Sequence, residues 1–193
     1  MDRKATVVRK TKETEIDLEL NLDGDGSFTG TTGIGFLDHM LELLAKHGDF
    51  SLILRCRGDL SVDGHHTAED IGLSLGQAFS QALGDKRGIA RYGSLALPMD
   101  EVLVLCAVDI SGRPGFFADL NFSTEKIGQF DTQLVGEFWQ AFANQANITL
   151  HLRQLAGGNS HHLAEAVFKG TARCMKTAVG IEGEKVPSTK GVL

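Results

Sequence analysis

The sequence predicts an α+β fold built from two pseudo-repeated strand-and-helix units, with helices layered on mixed sheets. Three observations lead there. The motif His-His-x-x-Glu occurs twice, at His65–Glu69 and His161–Glu165, about half the chain length apart. The strand-like run Ser51-Leu52-Ile53-Leu54-Arg55 before the first copy is answered by Thr149-Leu150-His151-Leu152-Arg153 before the second. Each copy opens an apolar-periodic segment closed by a glycine, Gly84 and Gly180, which predicts two helices with left-handed glycine caps.

The elements follow in order within each unit. Residues 14–22 and 101–110 read as the strands that start the two halves. Residues 36–44 and 134–142 align with each other and read as amphipathic helices, which sets His39 opposite Glu137. The matched strands and the motif helices come next. The junction falls near residues 91–98, with Pro98 as a break. The expected organisation is a single catalytic domain of two repeats, approximately 1–93 and 94–180, followed by a tail at 181–193.

Composition narrows the class. A chain of 193 residues can bury a substantial core, and 42% hydrophobic with 23% charged residues is ordinary for a globular protein. A net charge of −6 without a basic run argues against nucleic acid as a partner. The longest strongly apolar stretch, residues 102–108, is too short to span a bilayer, so no membrane partner is expected. The N-terminal segment has charges and no apolar run, so it does not read as a signal peptide. Cys56, Cys106 and Cys174 are odd in number and widely spaced, which fits a reducing, cytoplasmic setting.

The two motifs carry the chemistry. On a helix, positions i and i+4 share a face, so His65 can join Glu69, and His161 can join Glu165, at one ion. Adjacent positions point about 100° apart, which turns His66 and His162 away from the ions of their neighbours. Two chelating pairs and two further histidines predict two metals, each completed by a residue from elsewhere. The residues before the copies, Asp63-Gly64 and Asn159-Ser160, can cap the free N–H groups of a helix start. The positive end of the helix dipole keeps an imidazole there neutral and able to ligate. Imidazole and carboxylate donors without thiolate suit Mn, Fe, Ni or Zn.

Six segments in one order resemble imidazoleglycerol-phosphate dehydratase: FLDHM at 36–40, DGHHTAED at 63–70, SGRP at 111–114, DTQLV at 131–135, NSHHLAEAVFK at 159–169 and PSTKGV at 187–192. The resemblance implies a duplicated fold like the second domain of ribosomal protein S5. It implies dehydration of D-erythro-imidazoleglycerol phosphate to imidazole acetol phosphate in histidine biosynthesis, with two Mn²⁺ ions per active site on the substrate imidazole or imidazolate. One ion would take His39, His66, His161 and Glu165. The other would take His65, Glu69, Glu137 and His162, where many relatives carry histidine in place of Glu137. Glu13 would move the proton on carbon and touch substrate, and His47 would line the substrate pocket. The phosphate would meet Arg91, Arg113, Lys169, Ser188, Thr189 and Lys190, the last three in the tail. The family also implies a shell of twenty-four subunits with sites shared between chains.

The residues alone leave other classes open. A dimetal phosphoester hydrolase would use the same ligand types with a bridging water. A metal-storage protein or a metal-stabilised structural oligomer would need the ligands but no proton-transfer group. His151, in mid-strand, reads as structural.

Overall fold

The computed structural model describes residues 3–193. The first half runs β1 (Lys4–Lys10), β2 (Thr14–Asn21), β3 (Phe28–Thr31), α1 (Gly35–Gly48), β4 (Ser51–Gly58) and α2 (His65–Leu83). The second runs β5 (Tyr92–Met99), β6 (Val102–Asp109), β7 (Gly115–Asp119), a short hairpin of β8 (Lys126–Ile127) and β9 (Phe130–Asp131), α3 (Leu134–Ala146), β10 (Thr149–Ala156) and α4 (Ser160–Val179).

Each half builds one four-stranded sheet, ordered β1-β2-β4-β3 and β5-β6-β10-β7, and the β8–β9 hairpin stands apart. Alternation explains the central strands. Ile16, Leu18 and Leu20 of β2 and Leu52 and Leu54 of β4 point inward, while Glu15, Glu19 and Arg55 point out. Val102, Val104, Cys106 and Val108 of β6 face Leu150 and Leu152 of β10 in the same way, with Cys106 opposite Leu152. In both halves the last pair is parallel, β3 with β4 and β7 with β10. A parallel neighbour needs a crossover, and α1 and α3 supply it.

The helices lie on the inner faces and exchange partners. Helix α2 covers β1 and β2 but packs most closely on α3 of the other half, while α4 covers β5 and β6 and packs on α1. Glycines let α2 and α3 approach: a Cβ on Gly72 would stand 2.6 Å from the Phe138 carbonyl oxygen, and one on Gly76 would stand 2.4 Å from that of Phe142. Phe79, Phe138, Trp139, Phe142 and Phe168 fill the interior. Among the described residues no helix is long and apolar enough to cross a membrane.

Several expectations need correction. The halves open one strand earlier than residues 14 and 101, at β1 and β5. Pro98 does not break the chain but lies within β5, where it is tolerated because β5 is an edge strand. Neither glycine is a left-handed helical cap: Gly84 has the positive φ, +57°, but with ψ −127°, and Gly180 stands at φ −56° and ψ 137°. There the chain leaves α4 extended, because Ile181 bridges to Ile89 and the Gly180 carbonyl accepts from the Ala90 N–H at 2.7 Å.

Close helix approach sets a stability test. Gly76→Ala should lower unfolding stability by about 1–3 kcal/mol despite alanine's better helix propensity, through overpacking. Gly136→Ala, on α3 with open space at its Cβ, should raise it by about 0.5–1 kcal/mol. Urea midpoints at constant slope measure both. Equal effects would contradict the tight α2–α3 seam.

Candidate metal centre

Both motif copies sit where their helices begin. The Asn159 side-chain oxygen accepts from the N–H groups of His161 at 2.9 Å and His162 at 3.1 Å, capping α4. In α2 the corresponding contact comes from Asp63, whose Oδ1 accepts from the His65 N–H at 2.8 Å. Buried Asp70, next to Glu69, accepts from Arg9 Nε at 2.9 Å and from the Thr14 hydroxyl, which locks the start of α2 onto the β1–β2 hairpin. That contact brings the turn carrying Glu13 to His66.

The exchange of helix partners creates the centre. His39 on α1 of the first half meets His161 and Glu165 on α4 of the second. His39 Nε2 lies 2.8 Å from Glu165 Oε1, and His161 Nε2 lies 3.3 Å from the same oxygen. The ligand atoms of these three residues all fall within 4.8 Å of one another. Lys169 Nζ donates to the other oxygen, Oε2, at 2.6 Å. Burial opposes ionisation of Glu165, but the hydrogen bonds from Lys169 and His39 outweigh it, and the carboxyl is held at about 2. An ionised, nearly enclosed carboxylate with two imidazoles turned on it is a donor set suited to a divalent transition metal. The cysteines take no part: burial pushes Cys56 up to about 11, Cys106 to about 12 and Cys174 to about 11, so all three are thiols near neutrality.

The adjacent histidines diverge as helix geometry requires. The rings of His161 and His162 are inclined at 87°, and those of His65 and His66 at 89°. His66 is not at the His39–His161–Glu165 cluster. Its Nδ1 is 2.9 Å from Asp59 Oδ2, and its Nε2 is 3.8 Å from Glu13 Oε1. His162 Nδ1 is 2.9 Å from Glu101 Oε2, and its Nε2 is 3.6 Å from Asp100 Oδ2. The Asp59 bond raises the His66 pKa, and the Glu101 bond raises that of His162. Glu101 is held at about 2, chiefly by His162.

The second expected ligand set is less gathered. His65 and Glu69 on α2 and Glu137 on α3 stand at the repeat-equivalent places of His161, Glu165 and His39, on helices that pack together. Among the described residues no second group of three closes to the same distance.

The phosphate candidates are scattered. Lys169 is at the centre through Glu165. Arg91 has a left-handed backbone, φ +74°, and its guanidinium is engaged by Asp109 at 2.7 and 3.2 Å and by the Pro187 carbonyl at 2.9 Å. It therefore ties the tail carrying Ser188, Thr189 and Lys190 to the body. Arg113 is exposed, with Nη1 3.3 Å from the Ser111 carbonyl. His47 lies two turns beyond His39 on α1; burial first, then the charges of Lys169 and Arg173, lower its pKa. His151 stacks on Phe117 at 4.7 Å on the outer face of the second sheet, a structural contact. A cleft of about 850 Å³ with Phe36, His39, Asp63, Gln129, Phe130 and Leu134 in its wall borders the cluster.

Sequence reasoning did not single out Asp59, Asp100, Glu101 or Asp109. They belong to turns and strand ends and have no periodic relation to the motifs. The nearest signal was the acidic pair at the turn before β6.

The family model described as imidazoleglycerol-phosphate dehydratase matches residues 32–175. The imidazoleglycerol-phosphate dehydratase of Methylorubrum extorquens is 58% identical over 194 residues, covering 99% of this chain and all of its own. That of Jannaschia sp. is 55% identical with the same coverage. Among solved structures, the Staphylococcus aureus enzyme aligns with a TM-score of 0.84 at 38% identity, covering 92% of this chain and 99% of its own. The Pyrococcus furiosus structure, in complex with (S)-C348, aligns at 0.84 and 37%, covering 97% and 100%.

Ionisation of Glu165 gives a pH test with a defined sign. Its folded pKa lies below the ordinary 4.5, so its contribution to stability is present above 4.5 and lost as pH falls toward about 2. Glutamine imitates the protonated form. In chelated protein the stability gap between wild type and Glu165→Gln should shrink as pH falls through that window, read from urea midpoints. A gap independent of pH would contradict an ionised Glu165.

Proposed function

This chain belongs to the imidazoleglycerol-phosphate dehydratase family, and we propose that the paired HHxxE helices form its reaction centre. The protein is a hydro-lyase of histidine biosynthesis, which removes water from D-erythro-imidazoleglycerol phosphate to give imidazole acetol phosphate. The observation that carries the reading of the site is the meeting of His39, His161 and Glu165 across the two halves.

These three residues would hold one divalent ion, Mn²⁺ by family likeness. His65, Glu69 and Glu137, with a histidine of the His162 type, would hold a second. Ions so placed act as Lewis acids and as a template for the imidazole ring of the substrate. Glu13, on the hairpin turn beside His66, is exposed enough to reach substrate and would move the proton on carbon. Arg113, Lys169, Ser188, Thr189 and Lys190 would bind the phosphate, with Arg91 anchoring the tail and His47 lining the pocket.

His66 and His162 are each turned away from the ion that their neighbour would bind, which leaves the in-chain cluster one imidazole short. Another copy of the chain supplies it in this reading, so sites are shared in a homo-oligomer of twenty-four subunits. Three unpaired, mostly buried thiols fit a cytoplasmic location.

Turnover of imidazoleglycerol phosphate should yield an α-keto phosphate ester with no inorganic phosphate. Chelation should abolish it and Mn²⁺ should restore it. Phosphate release would instead indicate a hydrolase. Glu13→Gln should keep bound metal and lower kcat about 10²–10⁴-fold, whereas Arg113→Ala should chiefly raise KM. Near wild-type kcat in Glu13→Gln at saturating substrate would remove Glu13 from proton transfer. Light scattering tests the shared sites: chelation should reduce particle mass, and an unchanged mass would show that metal does not hold the assembly.

A further inference from the structure

We infer that Asp59 and Glu101 are positioning residues, each holding the Nδ1 of a motif histidine so that Nε2 is the nitrogen presented to a metal ion. The inference rests on the proposed metal centre and adds two residues that its ligand sets do not contain.

The geometry is the same at both copies. Asp59 Oδ2 and Glu101 Oε2 each stand 2.9 Å from the Nδ1 of the second histidine of the motif, His66 and His162 respectively. A carboxylate acceptor at Nδ1 fixes that nitrogen as the protonated one. It leaves the lone pair on Nε2, sets the ring plane, and makes Nε2 a better donor. His39 and His161 present Nε2 to Glu165 as well, so the four rings share one ligating atom type.

Duplication alone does not account for the contact. Asp59 directly follows β4, and the residue directly following β10 is Gly157. Glu101 lies in the β5–β6 turn, whose counterpart, the β1–β2 turn, carries Glu13 facing Nε2 of His66. The same bond is therefore made twice from non-equivalent positions, as expected if the bond itself is required. Stability gives Asp59 little reason to be there, because its Oδ1 is buried without a hydrogen-bond partner. Glu101 does more, accepting from the Asn159 N–H at 3.0 Å through Oε1 and so steadying the residue that caps α4.

Calorimetric titration of Mn²⁺ into chelated protein tests the inference, with the unfolding midpoint of each chelated variant measured alongside. Asp59→Ala should weaken Mn²⁺ binding about 10–100-fold at one of two sites with little change in midpoint. Asp59→Asn keeps an acceptor for Nδ1–H and should recover part of the loss. Glu101→Gln should weaken binding like Asp59→Asn, at the other site. Wild-type affinity in Asp59→Ala and Glu101→Gln, with His66→Ala impaired, would overturn the inference and leave the metal centre standing. Affinity and midpoint falling together in every variant, with no recovery in Asp59→Asn, would also overturn it, since that is a structural role. Wild-type protein that takes up no Mn²⁺ would overturn both readings.

Discussion

Each helix that carries the repeated motif packs against the first helix of the other half, and the centre depends on this exchange. If α4 packed on α3, and α2 on α1, His39 would never meet His161 and Glu165. Gly72 and Gly76 make the exchange possible on one side, because their missing side chains let α2 sit against the α3 backbone. The parallel crossovers β3–α1–β4 and β7–α3–β10 fix where the first helices lie. The motif helices are then held by their sheets and capped by Asn159 and Asp63. Sheet, crossover and seam together aim residues that are far apart in sequence at one point.

At that point a buried negative charge is offset by the groups gathered around it. Glu165 is buried and ionised, and its two oxygens face His39, His161 and Lys169. A charge withdrawn from water needs such partners, since breaking a buried pair by removing one of them costs several kcal/mol, about 3–5. Lys169 satisfies one oxygen, and His39 and His161 face the other. A divalent ion held by both rings and the carboxylate would take the place of the imidazole donors at that oxygen. The repeat-equivalent place of Lys169, one turn after Glu69, is Leu73, so the two halves do not balance their carboxylates in the same way.

The legible parts of the fold were those with a burial period. Strands β2, β4, β6 and β10 each have one face in the core, and their alternation shows in the sequence. The edge strands were not legible. β3 and β7 are short and mostly exposed, β1 is studded with lysine and arginine, and β5 carries Gly93 and Pro98, so backbone pairing rather than side-chain pattern makes them strands. Gly180 misled because the residues that draw the chain out extended there, Ala90 bonded to Gly180 and Ile89 bridged to Ile181, lie in the other half of the chain. At the centre, duplication exposed the motif residues and helix geometry explained the divergence of adjacent histidines. Asp59 and Glu101 were hidden because a turn residue reaches a ring through tertiary structure, with no spacing rule to mark it.

In the proposed centre the duplicated motif builds two metal positions from ligands of both halves. Anomalous diffraction at the manganese edge from crystals of Mn²⁺-loaded protein tests it most directly. One anomalous peak is expected within coordination distance of His39 Nε2, His161 Nε2 and a Glu165 oxygen, and a second beside His65, Glu69 and Glu137. A single peak, or peaks away from both motif helices, would contradict it.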